Sequence, residues 1–209
     1  AAGIAHEIRN PLASISGSVQ FLRRELSLAP ELRSLMDIIV KESDRLSAFI
    51  EEFLNFSRQS PLERTEFDLG GVVDEVTAMI ARNLKAVRFI KKYAPGNRVH
   101  ADFNMIKQLV WNLLNNSVKA LNEKGEIEIN ILPEPGVPGA VRLSIRDFGV
   151  GMDRDELEKI FIPFYSKFAF GIGLGMNIVK RIVDEHGFLM EIRSEKNQGT
   201  EVGVCFKRP

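Results

Sequence analysis

The chain has 209 residues, with Lys+Arg and Asp+Glu balanced at 28 each, 44% hydrophobic and 27% charged residues, and a single cysteine. The charge balance excludes a strong net field for nucleic acid or an anionic membrane surface, and the lone Cys205 excludes an internal disulfide framework and a cysteine-rich metal site. No apolar run approaches the roughly 20 residues of a membrane span, and no signal peptide is visible. The chain opens at Ala1 inside a helical pattern and without Met. It is therefore expected to be a cytoplasmic portion of a longer protein, whose remainder could carry sensors or a membrane anchor.

In the first 60 residues, Ile4, Ile8, Leu12, Ile15, Val19, Leu22 and Leu26 recur at threes and fours, which predicts one apolar stripe along one helix. The phase carries across Asn10-Pro11, so a continuous helix bent at Pro11 is expected rather than a helix restarted at Asn10. His6 lies two residues from Ile4, about 200° around the helix, and should face away from the stripe. Pro30 is placed to open a second helix, with a stripe of Leu32, Leu35, Ile39, Leu46, Phe49, Phe53 and Phe56. Two such helices, each about 40 Å long, form a hairpin too thin to cover both stripes. Pairing two hairpins into a four-helix bundle would cover them, which predicts a homodimer.

The polar stretch "SRQSPLERTE" reads as a linker, taken as residues 61–66 between a hairpin of residues 1–60 and a second domain of residues 67–209. Beyond it the pattern alternates. "FDLGGVVDEVTAMIARNL" predicts a short extended start and a helix, and "VRFIKKY" a strand. "DFNMIKQLVWNLLNNSVKALNEKG" predicts a helix with Asp102 near its start and Gly125 beyond its end. "EIEINIL" and "VRLSIRD" predict a strand pair joined by the turn-rich "PEPGVPG". After "FGVGM" comes an irregular stretch, then a helix in "GLGMNIVKRIVDEHG" and strands in "FLMEIRS" and "TEVGVCF". The expected architecture is an α helical hairpin followed by an α+β sandwich, a mixed sheet with helices on one face.

Several of these segments could carry chemistry. In "HEIRNPL", a neutral His6 imidazole is a competent nucleophile if Glu7 holds one ring N–H, though the pair alone reads better as a surface histidine beside a surface glutamate. Asn10 stands one turn on, where it could orient water or simply cap a helix. Asn112, Asn116 and Lys119 share one helical face among Val110, Leu109 and Leu113, with Asn115 off that face. Asparagine is a poor residue in mid-helix, and two amide oxygens with an ammonium could hold Mg²⁺ and the phosphates it bridges. Asp147-x-Gly149-x-Gly151 ends an apolar strand, where a fixed carboxylate can accept from an amino group. Gly171, Gly173 and Gly175 open a helix as a phosphate cradle could, yet no Gly-Lys-Ser/Thr follows and no strand leads in. His100 and His186 lack partners at ligand spacing and read as structural; Cys205 and Trp111 read as core.

In their order, "HEIRNPL", "NLLNNSVKAL", "DFGVGM", "FIPFYSKF" and "GIGLGM" resemble the H, N, G1, F and G2 boxes of sensor histidine kinases of two-component systems. The resemblance covers essentially the whole chain, and implies a dimerisation and phosphoacceptor hairpin followed by a Bergerat-fold (GHKL) ATP-binding domain. It implies ATP and Mg²⁺ as cofactors, and a response-regulator receiver domain and a second copy of the chain as partners. His6 matches the phosphoacceptor, Glu7 the acid that takes its proton, and Asn10 the residue linked to hydrolysis of the phosphorylated partner. Asn116 matches the Mg²⁺ ligand, Asn112 lies beside it, and Lys119 falls on the phosphates. Asp147 matches the reader of the adenine amino group, supported by Gly149 and Gly151. Gly171, Gly173 and Gly175 match the phosphate-facing end of the ATP lid, and Phe161 and Phe164 its aromatic anchors. Two departures concern that lid: "YSKFAF" stands where many relatives carry Thr-Thr-Lys, and Ile172 where many carry Thr. Lys167 could substitute as the phosphate contact. A GHKL ATPase or chaperone-like clamp, and a non-catalytic dimeric scaffold, are the alternatives.

Overall fold

Every non-proline residue in a helix interior gives its N–H to the carbonyl four residues back, so a proline can be absorbed when the flanking turns are well packed. The computed structural model resolves the question at Pro11 in this way. It describes residues 2–26, 29–57, 61–82, 84, 86–168 and 173–207, with the backbone alone for 2–7, 9, 48–49 and 51–57. The chain divides into two units, Ala1–Ser60 and Pro61–Pro209.

The first unit is a helical hairpin. Helix α1, Ala2–Glu25, runs unbroken through Pro11, and helix α2 spans Pro30–Ser57 with Pro30 as its first residue. Within one hairpin Ile8, Ile15 and Leu22 of α1 and Leu32, Leu35, Ile39 and Leu46 of α2 remain exposed. The seam is not wholly apolar. Ser16 and Ser43 are buried in it. The Ser43 hydroxyl donates to the Leu12 carbonyl at 2.9 Å, and Gln20 Nε2 donates to Ser16 Oγ at 3.2 Å. An Arg23–Asp37 ion pair closes the far end.

In the second unit, a five-stranded mixed sheet has the order β2-β4-β5-β7-β6, built from β2 Val87–Tyr93, β4 Gly125–Pro133, β5 Val141–Asp147, β6 Leu189–Glu195 and β7 Gly199–Phe206. Only β2 and β4 pair in parallel. Period-2 alternation sorts the faces. Ile127, Ile129 and Ile131 of β4 lie in register with Asp147, Ile145 and Leu143 of β5, and the latter two with Val202 and Val204 of β7. Helix α4 Phe103–Ala120 packs on β5 and β7, and is flanked by α3 Leu69–Ala81, which meets β2, and α6 Gly175–His186, which meets β6. The opposite face carries Glu128, Arg146, Glu201 and Arg193 side by side across four strands.

Asp68 and Asp102 cap α3 and α4, accepting from the N–H of Gly71 and Met105. His186, in the last turn of α6, is buried and bridges elements. Its Nε2 accepts the Asp102 N–H at 3.0 Å, so the ring is the neutral tautomer that donates from Nδ1 to the Ile182 carbonyl at 2.8 Å. Burial holds its pKa below the ordinary imidazole value. Cys205 is a buried thiol, as expected.

Three features differ from the sequence reading. Arg64–Asp68 forms strand β1, paired antiparallel with β3 Arg98–Asp102, so residues 64–66 belong to a two-stranded sheet rather than to the linker. The irregular stretch after the glycine turn contains a short helix, α5 Arg154–Lys159, nucleated by a capping box between Asp153 and Glu156. Trp111 is 40% exposed on the outer side of α4 instead of lying in the core. It sits beside Asn112, and the packed side of the helix is occupied by Leu109, Val110, Leu113 and Leu114.

Candidate nucleotide site

On β5, Val141, Leu143, Ile145 and Asp147 point to the helix-covered face, so a carboxylate ends a row of core side chains. Asp147 is only 3% exposed. It accepts from the Gly149 N–H at 3.0 Å, from the Ser117 hydroxyl of α4 and from the Thr200 N–H of β7. Burial nevertheless dominates and raises its pKa above the usual carboxylate range. A buried carboxylate held by three donors keeps acceptor capacity to spare, because an ionised carboxylate offers about four lone-pair sites. That capacity suits a ligand N–H.

The turn after β5 lies against the end of α4. Val150 N–H donates to the Ala120 carbonyl at 3.1 Å, and a Cβ on Gly149 would collide with that same carbonyl group. Gly151 has φ of +57°, and a side chain there would run into the Glu195 carbonyl. The glycines therefore serve close backbone approach, and they bring the Asp147 turn beside the asparagine face of α4.

On α4, Asn112 Nδ2 donates back to the Gln108 carbonyl at 2.9 Å, which leaves its Oδ1 available. The Asn116 amide has no hydrogen bond among the described residues. A Cβ at Gly175, the first residue of α6, would lie 3.0 Å from Asn112 Oδ1 and 3.8 Å from Asn116 Nδ2. Glycine at 175 thus keeps the space over both amides open. Lys119 is exposed in the last turn of α4. Among the described residues no cluster of three His, Cys, Asp or Glu could hold a metal on its own. The fit to Mg²⁺ is therefore through amide oxygens plus ligand phosphates, the donor set a hard cation takes when it arrives with a nucleotide.

The loop before α6 is closed at its neck. Phe164 N–H donates to the Gly173 carbonyl at 3.2 Å, and Gly173, at φ +78°, has no room for a side chain against the backbone of residues 164 and 165. Phe161 is half-buried, with Lys180 Nζ 5.9 Å above its ring.

Comparison with known families adds to this geometry. Residues 1–61 match the His Kinase A (phospho-acceptor) domain, and residues 101–209 match the histidine kinase-, DNA gyrase B-, and HSP90-like ATPase family. The chain belongs to the sensor histidine kinase family. It is 33% identical over 202 residues to the sensor histidine kinase ZraS of Klebsiella oxytoca, across 95% of this chain and 43% of that protein. Among solved structures, full-length ShkA in complex with AMPPNP matches with a TM-score of 0.77 at 25% identity, over 98% of this chain and 44% of that one. The histidine kinase ThkA in complex with response regulator protein TrrA matches with a TM-score of 0.70 at 30% identity, over 100% of this chain and 60% of that one. The chain spans less than half the length of the curated relatives it matches.

Within this histidine kinase chain, the second unit brings together Asn112, Asn116, Asp147, Gly149, Gly151, Gly173 and Gly175. Gly171 lies outside the described residues, as do the side chains of His6 and Glu7, whose backbones are in α1. Asn10 is exposed on α1, and its carbonyl accepts from Ser14 Oγ at 3.1 Å. Phe164 is exposed, with a left-handed φ of +66°, and its backbone N–H ties the loop. Lys167, which could stand in as a phosphate contact, donates in this structure to the Gly151 carbonyl and to Glu156. Sequence reasoning missed Ser117 and Thr200 as partners of Asp147. Ser117 falls next to Asn116 in the quoted asparagine run, so a buried hydroxyl there was a usable signal; the Thr200 N–H had none.

Proposed function

We propose that the chain is the catalytic core of an ATP-dependent protein histidine kinase. On this reading it binds ATP with Mg²⁺ in its second unit, transfers the γ-phosphoryl group to His6, and passes it to an aspartate of a response-regulator receiver domain. The observation that carries the reading is the meeting of the α4 amides, the buried Asp147 turn and the glycine-opened start of α6 in one unit. The match of residues 1–61 to a phospho-acceptor domain supplies the acceptor.

Asp147 accepts a hydrogen bond from the adenine amino group, and Asn112, Asn116 and Lys119 hold the phosphate end, with Asn116 as the Mg²⁺ ligand. Bound Mg²⁺ neutralises charge on the triphosphate. In the transfer, the neutral His6 imidazole forms a P–N bond as the P–O bond to ADP breaks, and Glu7 takes the ring proton. Asn10 orients water for the reverse task, removal of phosphate from the regulator. Exposed stripes on both hairpin helices support a homodimer in which two copies bury them as a four-helix bundle. Residues 1–60 are read as the dimerisation and phosphotransfer hairpin, residues 67–209 as belonging to the catalytic domain, and the chain as a cytoplasmic portion of its protein. Among the described residues no helix is long and apolar enough to cross a membrane.

Incubation with γ-labelled ATP tests this directly. Wild type is expected to acquire acid-labile, base-stable label, and His6→Gln to acquire none. Equal labelling of His6→Gln, or no label on wild type, overturns the kinase reading; ATP turnover without protein label points to an ATPase or clamp. Unchanged dephosphorylation of a phospho-regulator by Asn10→Ala removes the role given to Asn10.

A further inference from the structure

Three segments around the nucleotide site converge on one ammonium group. Lys167 Nζ donates to the Gly151 carbonyl at 2.7 Å and lies 3.2 and 3.1 Å from Glu156 Oε1 and Oε2. Gly151 belongs to the turn that follows Asp147, Glu156 to the first turn of α5, and Lys167 to the loop whose neck is Phe164 and Gly173. An ammonium has three N–H donors, and here it has three acceptors. To reach a phosphate, Lys167 would first have to give up a charge-assisted pair.

Both acceptors are fixed before Lys167 meets them. Glu156 Oε2 accepts the Asp153 N–H at 3.0 Å while Asp153 Oδ1 accepts the Glu156 N–H at 3.0 Å. Lys196, in the turn between β6 and β7, donates to Asp153 Oδ2 at 3.1 Å. Gly151 is backed by the same turn, where Asn197 N–H donates to the Val150 carbonyl at 2.8 Å. The Lys167 and Glu156 side chains are 27% and 23% exposed, so the pair is partly covered and still subject to solvent screening.

We propose that Lys167 is a positioning residue, a latch that ties the lid loop to the turn beneath the adenine reader Asp147. It acts on the nucleotide through the placement of Gly151 and the loop, not by touching phosphate. Its loss therefore weakens binding of adenine nucleotides by a common factor, whatever the length of the phosphate chain. The proposal rests on the ATP-binding reading above.

The test is a set of dissociation constants for ATP, ADP and AMP, measured by calorimetry with Mg²⁺ on the whole chain. Lys167→Met is expected to weaken all three nucleotides alike, by ~3- to 10-fold for one partly sheltered charge-assisted contact. Glu156→Gln keeps an amide oxygen for the Asp153 N–H and leaves the Lys167–Gly151 bond, so its loss should run the same way but be smaller. The double variant should be no worse than Lys167→Met alone, because the Glu156 contact is made only through Lys167. Lys167→Arg, which still reaches both acceptors, should recover most of the affinity. The latch is overturned if Lys167→Met weakens ATP ~10-fold more than AMP while Glu156→Gln leaves ATP binding intact or tighter, since Lys167 would then be a phosphate ligand. It is also overturned if no variant changes any affinity. A wild type that binds none of the three nucleotides defeats the ATP-binding reading itself, and the latch with it.

Discussion

The two units of this chain bury their apolar residues to very different extents. The second unit hides Ile127, Ile129, Ile131, Leu143, Ile145, Leu109 and Leu114 almost completely, whereas the hairpin leaves Ile8, Ile15, Leu22, Leu32, Leu35, Ile39 and Leu46 in water. One is a finished fold by its own contacts. The other leaves its apolar stripes uncovered within one copy, and in the proposed homodimer its stability would follow the concentration of a second copy. The contrast teaches where each kind of substitution should act: changes on the hairpin stripe should be read in assembly, and changes in the second unit in nucleotide binding and melting temperature.

The strongest way to break that contrast is to charge the stripe. Ile39→Asp with Leu46→Asp removes roughly 6 kcal/mol or more from a dimer, counting ~1.5 kcal/mol per side chain in both copies. Sedimentation should then show monomers, while ATP affinity stays at the wild-type value. A dimer that survives, or an ATP affinity that falls along with it, ends the division of labour.

Within the second unit, Asp147→Asn should separate function from stability. Its amide offers a donor where an acceptor is needed, so ATP binding should weaken ~100-fold, about 3 kcal/mol. The melting temperature should hold near the wild-type value, because relief of the buried charge is offset by the loss of one acceptor for the Gly149, Ser117 and Thr200 donors. A large loss of stability with intact binding would reverse the assignment. Gly149→Ala should instead lower stability: its methyl group meets the Ala120 backbone, which cannot yield as a side chain can. A cost of ~1–3 kcal/mol in denaturant unfolding is expected, and an unchanged midpoint would show that the turn relaxes freely.

The smallest effect is set by pH. His186 has a folded-state pKa below its unfolded value, and its Nε2 cannot carry a proton while it accepts the Asp102 N–H. Its contribution is complete above pH ~6.5, and is lost as pH falls from there through the folded pKa, because only the unfolded chain takes up the proton. His186→Gln should flatten that acid limb in melts of the second unit. A limb that persists unchanged in the variant assigns it to other groups.

Much of this was legible in the sequence because long periodic segments leave little choice. The stripe from Ile4 to Leu26 carried its phase across Pro11, and α1 runs through it. The alternation in "VRLSIRD" holds more than was read from it. Asp147 shares the parity of Val141, Leu143 and Ile145, so its burial follows from the strand alone. Short elements were harder. β3 has five residues and takes its identity from pairing with β1, a partner more than thirty positions away in sequence. α5 has six residues and no apolar period, though Asp153 and Glu156 stand at capping-box spacing. Trp111 was misplaced because one face of α4 had already been filled by leucine and valine, leaving the largest side chain outside. The engagement of Lys167 had no local signal at all, since its acceptors lie 11 and 16 residues earlier in the chain.

One bond in the hairpin bears on how a mechanical input could be read. Leucines and isoleucines in a helical seam are nearly indifferent to a slide of an ångström or a small roll. The hydroxyl of Ser43 is not, because its bond to the Leu12 carbonyl has a direction and a length. Set one residue beyond Pro11, that bond gives the pair of helices a zero point, like the index mark on a dial. Displacement along the seam then has a reference from which it can be measured, a few residues from the histidine that would report it.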